Sequence, residues 1–195
     1  MPRLLSGELG GDIYCVHRLD RAVIGVMVYA RTAAAAAGLS RQIAARQFHK
    51  EYLAVVQGCP AEDSAVLRDL LFWDRSKNKS FVVKRQRGGV KDAELEYALL
   101  EALPELSLLR VILHTGRTHQ IRAHLAHIGC PILGDSKYGN NAANRELRLK
   151  YQALCAWELK FPAKISDERF AHLTGRVFHA EKPWYCQQVE DGTLK

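Results

Sequence analysis

The chain has 195 residues, of which 48% are hydrophobic, so it can bury the core of one domain and is too apolar for a disordered chain. Lys and Arg number 28 against 21 Asp and Glu, which gives a formal charge of +7. This excess favours a polyanionic partner such as nucleic acid, although a mildly basic protein without such a partner has the same balance.

The N-terminus and the cysteines bear on the cellular compartment. No apolar signal core opens the chain, and no apolar run approaches the length of a membrane span. The five cysteines are odd in number, and none belongs to a C-x-x-C pair. Several lie in apolar runs, which is typical of small core residues in a reducing compartment. We therefore expect a cytoplasmic protein without a membrane partner.

Two short apolar stretches, residues 13–16 and 25–30, have the composition of strands. The link between them contains residues 17–20, which read HRLD. A polar link between two buried strands can direct the carboxylate of Asp20 into a cleft, because the strands hold the link in place. Taken alone, the same four residues equally suit a surface loop.

The clearest helix prediction covers residues 32–46. Thr32 can cap its N-terminus, the alanines favour helix, and Leu39 and Ile43 lie one turn apart on one face. Residues 50–57 then alternate in the manner of a strand.

Residues 70–91 combine two predicted strands, 70–73 and 81–83, with the densest basic region of the chain. Charge runs are usually solvated loops. In a protein that grips RNA, however, a basic segment beside a hairpin can serve as a clamp. The side chains that we expect to contact RNA in this way are Lys84, Arg85 and Arg87.

The rest of the chain adds more strands. They are predicted over residues 93–103, 106–113 and 151–160, with a loop over 140–150 and edge structure at 180–184. After residue 113 a glycine turn leads into a helix that Thr118 can cap. Many strands and few helices predict an α+β fold with one domain over residues 1–195.

Five stretches of the chain match one set of motifs in order. Residues 17–20 read HRLD, and residues 116–124 read GRTHQIRAH. Residues 48–58 fit F-x-K-x-Y-x-A-x-V-x-G, residues 134–139 fit G-D-x-K-Y-G, and residues 154–162 fit L-x-A-x-x-L-x-F-P. Together they resemble the RluA-type pseudouridine synthases of RNA.

The resemblance implies a mixed, largely antiparallel sheet with a few flanking helices and a central catalytic cleft. It also implies the reaction, in which uracil leaves the ribose through N1 and returns through C5. Nothing is added overall, so we expect no cofactor and no metal, and the histidines do not reproduce a zinc motif either. In this family the HRLD motif carries the catalytic carboxylate, which makes Asp20 the expected nucleophile.

By the same resemblance Arg122 is the partner of Asp20, since a permanent cation keeps a carboxylate ionised beneath a base. The target base must leave its stack to be reached, and Tyr52 is expected to lie against the flipped uracil. Arg18 is expected to fill the vacancy in the RNA or to bind a phosphate. Contacts to the RNA backbone are expected from Lys50, Arg117 and His119.

The chain departs from the family pattern in two places. After HRLD the family usually continues x-x-T-S-G, whereas residues 21–25 read RAVIG, so Val23 and Ile24 replace two hydroxyl side chains. This bears on the choice of RNA more than on the chemistry. The family's Lys-Pro-x-Gly motif is missing, and no S4-type RNA-binding domain fits before residue 17. We expect a short family member or a truncated chain.

Two other functions remain open at the level of sequence. A catalytically silent relative would bind structured RNA by shape and charge. The altered residues after Asp20 and the short N-terminus favour it, whereas the intact Asp20, Tyr52 and Arg122 favour an enzyme. A nucleoside hydrolase would need a second carboxylate, for which Asp135 is the candidate. We expect a monomer whose partner is ribosomal or transfer RNA.

Overall fold

A computed structural model describes residues 2–146 and 149–194. The strands are β1 (Tyr14–Cys15), β2 (Ile24–Gly25), β3 (Tyr29–Ala30), β4 (His49–Gln57), β5 (Ser64–Asp74), β6 (Lys79–Val83), β7 (Val90–Ala102), β8 (Leu106–Leu113), β9 (Leu154–Lys160) and β10 (Val177–His179). The helices are α1 (Pro2–Leu9), α2 (Ala33–Ala44), α3 (Gln120–His127), α4 (Asn141–Glu146) and α5 (Trp184–Glu190), and a 3₁₀ turn covers Glu168–Leu173. None of these helices is both long and apolar enough to cross a membrane.

One large sheet dominates the described residues. Its strands follow the order β10, β9, β4, β8, β7, β5, β6, with β2 beside β9. All neighbouring pairs are antiparallel except β2 with β9. The predicted α+β fold with a mixed, largely antiparallel sheet is therefore confirmed. Strands β1 and β3 form a separate two-stranded ribbon.

Strand β4 lies inside the sheet and is buried on both faces. Its successive side chains point to opposite sides, so they divide between two clusters. Tyr52, Ala54 and Val56 belong to a cluster on the face that α3 covers. Leu53 and Val55 belong to a second cluster with residues of α5. The face under α3 is the one that bears the cleft described below.

The strand predictions for the middle of the chain are confirmed. Those over residues 50–57, 93–103 and 106–113 correspond to β4, β7 and β8. The strands predicted at 70–73 and 81–83 form an antiparallel hairpin, in which β5 begins earlier, at residue 64. The N-terminal strand predicted at 13–16 is reduced to the two residues of β1, and the one predicted at 25–30 is replaced by two short strands, β2 and β3.

Helix α2 is present within the predicted bounds. Thr32 accepts a hydrogen bond from the backbone N–H of Ala35 at 3.1 Å, as an N-cap does. Leu39 is buried in a third cluster with residues of β9 and of the 3₁₀ turn. The helix ends at Ala44 with Ala45 as its C-cap, and Arg46 follows with a left-handed φ of 57° and an N–H that donates to the carbonyl of Ile43.

The predicted cap of α3 is wrong. The residue at this position is His119, which has a left-handed φ of 52° and makes no side-chain cap hydrogen bond. The Thr118 backbone carbonyl instead accepts the Ser80 hydroxyl at 2.5 Å, so residue 118 belongs to the contact with β6.

Two predictions near the C-terminus are also wrong. Residues 141–146 form α4 and not a loop, because the Asn140 side chain accepts the N–H of Ala142 at 2.9 Å and starts a helix. Residues 147 and 148 of the predicted loop lie outside the described residues. The edge strand is β10, upstream of the predicted edge at 180–184, and α5 begins at residue 184.

Candidate active site

A cleft of about 280 Å³ opens beside α3 on the sheet face that it covers. Its walls come from the loop before β2, from β4, and from the turn that leads from β8 into α3. The predicted site residues that line it are Arg18, Asp20, Lys50, Tyr52, Arg117, His119 and Arg122. The remaining three, Lys84, Arg85 and Arg87, lie on the exposed turn after β6, outside this lining.

The loop that carries Asp20 is fixed by hydrogen bonds on both sides. His17 accepts the backbone N–H of Val28 at its Nε2 over 3.0 Å, which pins the start of the loop. The carbonyl of Asp20 accepts the N–H of Val23 at 3.0 Å, which closes a tight turn. Ala22 within this turn has a φ of 68°, a conformation that L residues rarely adopt.

Strand β2 fastens the far end of the loop to the sheet. Gly25 pairs with Ala156 of β9, and a Cβ at Gly25 would lie 2.2 Å from the carbonyl oxygen of Ala156. Only glycine allows this approach. Val23 packs against the core, whereas Ile24 is 52% exposed. Backbone pairing and the apolar contact of Val23 therefore hold the loop where hydroxyl side chains are usual in the family.

Arg122 joins two carboxylates that are far apart in sequence. Its Nη1 donates to Oδ2 of Asp20 at 3.1 Å. Its Nε and Nη2 donate to the two oxygens of Asp135 at 2.6 and 2.9 Å, a bidentate pair. Both ion pairs together raise the pKa of Arg122, although burial acts to lower it. The guanidinium is therefore a fixed positive charge at the bottom of the cleft.

Asp135 is the deeper of the two carboxylates, with a side chain that is fully buried while that of Asp20 is 27% exposed. One of its oxygens also accepts the backbone N–H groups of Lys137 and Tyr138, at 2.8 and 3.1 Å. Burial acts to raise the pKa of Asp135, but the hydrogen bonds and charge of Arg122 outweigh it and hold that pKa below its usual range.

Helix α4 supports the turn that contains Asp135. The Asn144 side chain accepts the N–H of Gly134 at 2.8 Å and donates to the carbonyl of Asp135 at 3.1 Å. The motif at residues 134–139 thus serves to anchor Arg122 from behind, which sequence reasoning missed. The motif draws attention to Asp135, but nothing in the sequence identifies Arg122 as its partner.

His119 stands beside Asp20 in the cleft, with its Nε2 3.9 Å from Oδ2 of Asp20. The ring is held from the other side, where Nδ1 lies 3.1 Å from the hydroxyl of Tyr138 and Trp73 meets it edge-on. Burial lowers the pKa of His119, while the charge of Asp20 opposes that shift. Its left-handed backbone is a second strained position in the cleft wall, after Ala22.

Tyr52 and Lys50 project from β4 into the cleft. Burial, and then the negative charge of Asp20, raise the pKa of Tyr52, so its hydroxyl stays protonated at neutral pH. Lys50 is half-buried, and the loss of hydration lowers its pKa. Arg18 is exposed at the mouth of the cleft, and Arg117 donates from its Nε to the carbonyl of Asp92 at 2.9 Å.

The basic turn after β6 is organised differently from the cleft. Its side chains are exposed, and the guanidinium of Arg87 stacks 4.7 Å from the centre of the Phe72 ring. The hairpin before it is fastened to the site: Lys79 donates to the carbonyl of Lys137 at 2.6 Å, and the N–H of Ser80 donates to Tyr138 at 2.7 Å. In residues 2–146 and 149–194, no three His, Cys, Asp or Glu side chains are grouped so as to hold a metal ion.

The fold has close counterparts among solved structures. Human RNA Pseudouridylate Synthase Domain Containing 4 superposes with a TM-score of 0.75 over 98% of this chain and 80% of its own, at 23% identity. Human RNA Pseudouridylate Synthase Domain Containing 1 gives a TM-score of 0.71 over 96% and 82%, at 24% identity. At such low identity these matches establish the fold alone.

Sequence comparison identifies the family. The pattern of the RNA pseudouridylate synthase family matches residues 3–127, and the chain belongs to this family. A Xanthomonas campestris protein named ribosomal large subunit pseudouridine synthase D is 39% identical over 163 residues, which are 78% of this chain and 48% of that protein. A Chlorobaculum parvum protein named uncharacterized RNA pseudouridine synthase is 42% identical over 127 residues, 64% of this chain and 38% of that protein. The chain thus spans half or less of the length of these relatives.

Proposed function

We propose that the protein is an RNA pseudouridine synthase, which isomerises a flipped-out uridine to pseudouridine. The proposal rests on the geometry of Asp20. Its carboxylate accepts a hydrogen bond from Arg122 and lines a cleft beside Tyr52. A family member needs such a group near C1′ or C6 of the uridine. Because the bond from C1′ to N1 breaks, the bond from C1′ to C5 forms, and one proton leaves C5 while another joins N1, no cofactor is consumed.

The other side chains would contact different parts of the RNA. Tyr52 would lie against the flipped uracil, and Arg18, exposed at the mouth, would fill the vacancy in the RNA or bind a phosphate. His119, Lys50 and Arg117 would contact the RNA beside the target. Lys84, Arg85 and Arg87 would clamp the RNA backbone from the exposed turn.

Asp135 weakens the alternative of a nucleoside hydrolase. Such an enzyme needs a second carboxylate that reaches substrate or water, and this carboxylate is fully buried with both oxygens bound to Arg122. The altered loop after Asp20 no longer favours a silent RNA-binding relative, because Gly25 and Val23 fasten that loop to the sheet.

We further propose large-subunit ribosomal RNA as the substrate, because several relatives, the Xanthomonas campestris protein among them, are named for it. The protein would act in the cytoplasm as a monomer, with residues 1–195 as one catalytic domain. Transfer RNA is the competing substrate.

The test is incubation of the purified protein with unmodified transcripts of large-subunit ribosomal RNA and of transfer RNA, followed by pseudouridine mapping. Pseudouridine at a defined site of the ribosomal transcript is expected. Pseudouridine in transfer RNA alone would support the proposed activity but identify transfer RNA as the substrate. Free uracil would indicate a hydrolase, and binding without any product would indicate a silent relative.

A further inference from the structure

The cleft at Asp20 continues into a groove across the sheet. Lys50 lines both the cleft and a smaller pocket next to it. Arg46 lines both that pocket and a groove of about 680 Å³, whose wall includes Lys84. These shared residues place the three concavities side by side, and we call the series from Asp20 to the basic turn after β6 the side groove.

The charges along the side groove suit a phosphate backbone. Cations stand at intervals along it, namely Lys50, Arg46 and Lys84. Three acidic side chains also line it, namely Asp69, Asp92 and Glu94. Glu94 lies 3.3 Å from the guanidinium of Arg68, which balances its charge. Cations spaced along a groove can contact successive phosphates of a single RNA strand without reading its sequence.

Arg46 carries a second, independent feature. It is the residue after Ala45, the C-cap of α2, and has a left-handed φ of 57°. Glycine dominates this position in helices, because a Cβ makes the left-handed conformation unfavourable. The guanidinium is exposed, so packing in the core does not explain the choice of a long cationic side chain. An unfavourable backbone at the wall of a groove is the pattern expected where a side chain serves a ligand.

We propose that Arg46 binds a phosphate of the RNA strand adjacent to the target uridine, and that this strand leaves the cleft along the side groove toward Lys84. The proposal rests on RNA being the substrate of the site. Single-stranded RNA would then occupy the side groove, as expected for recognition of loops and bulges whose bases are splayed out.

The decisive variant is Arg46→Gly, since glycine removes the cation and relieves the backbone at the same position. The probe is a synthetic 15-nucleotide single-stranded RNA with a central uridine, titrated at several KCl concentrations. We expect affinity at low salt to fall about tenfold, as for the loss of one charged hydrogen bond. The log–log salt slope should fall by about 0.7, the value for one phosphate on a single strand. The thermal midpoint should stay equal or rise.

Two controls separate this role from general effects. Arg41→Ala removes a cation from the last turn of the same helix, away from the side groove, and should leave the salt slope unchanged. Arg46→Lys keeps a charge and should retain the slope. Shortening the RNA on one side of the uridine should abolish the difference between wild type and Arg46→Gly, while shortening on the other side should preserve it.

The proposal is overturned if Arg46→Gly keeps the wild-type slope, if Arg41→Ala lowers it equally, or if the thermal midpoint falls together with affinity. Its failure differs from failure of the proposed function. If the wild type binds RNA without forming pseudouridine, the synthase assignment fails, and the slopes of the variants still decide the role of Arg46.

Discussion

The floor of the cleft and the basic turn outside it hold their charges in opposite ways. The floor consists of Asp20, Arg122 and Asp135, where one guanidinium pairs with two carboxylates, of which Asp135 is fully buried. The basic turn of residues 84–89, which we call the rim, lies outside the cleft lining and has exposed side chains. Buried charges depend on their partners, because removal of one leaves the other unsolvated, whereas exposed charges are replaced by water and counterions. The floor therefore governs stability and chemistry, and the rim governs affinity.

The largest effect is expected from Arg122→Met. The loss of the guanidinium leaves the fully buried carboxylate of Asp135 without a cation, so unfolding free energy should fall by about 3–5 kcal/mol and pseudouridine formation should cease. Denaturant midpoints and a pseudouridine assay measure the two consequences. Arg110→Met, at an exposed arginine on β8, is the matched control and should change neither.

Double variants show which carboxylate is left unpaired. Asp135→Asn added to Arg122→Met should restore part of the lost stability, because a buried amide costs less than a buried carboxylate. Asp20→Asn added to Arg122→Met should restore little, since Asp20 keeps contact with water. If stability recovered with Asp20→Asn and not with Asp135→Asn, Asp20 and not Asp135 would be the carboxylate that depends on Arg122.

The rim should show the opposite signature. Replacement of Lys84, Arg85 and Arg87 by Gln should change unfolding free energy by less than about 1 kcal/mol, with the stacking of Arg87 on Phe72 as its main contribution. The log–log salt slope of RNA binding should fall by about 0.7–0.9 for each phosphate that the variant no longer neutralises. An unchanged slope would identify the turn as a solvated loop.

The smallest effect concerns His124, which lies behind the floor on α3. Both of its ring nitrogens are buried without a hydrogen-bond partner among the described residues, and burial lowers its pKa from the ordinary 6.5, while Asp69 opposes that shift. Since the unfolded chain binds the proton more readily, stability should fall as pH drops below 6.5. Thermal midpoints at pH 7.5 and 5.5 should differ less in His124→Leu than in wild type. An identical difference would remove His124 from this account.

Parts of the fold and site follow from local sequence, and others depend on the path of the whole chain. Alternation over residues 50–57 predicts β4 correctly, and Thr32 predicts the start of α2, because both signals are local. The same local reasoning overlooked α4, although its Asn140 cap is a local contact with Ala142. The Asn144 anchor of this helix acts through the turn at residues 134–139. An anchor of that kind has no signature until its partner is in place.

The site shows the same limit. The motifs predict that Asp20 and Arg122 act together, and the structure brings them to 3.1 Å across 102 positions of sequence. They do not predict that Asp135 takes two of the three hydrogen bonds of Arg122. That division follows from which carboxylate the sheet and α4 bury, a property of packing.

The most direct test of the division between floor and rim is Asp20→Asn, with Asp63→Asn, at an exposed aspartate, as its matched control. RNA affinity is measured for both variants, and pseudouridine formation is measured at saturating RNA. The account predicts that Asp20→Asn binds RNA within a few-fold of wild type and forms no pseudouridine, while Asp63→Asn matches wild type in both. Robust pseudouridine formation by Asp20→Asn would contradict it.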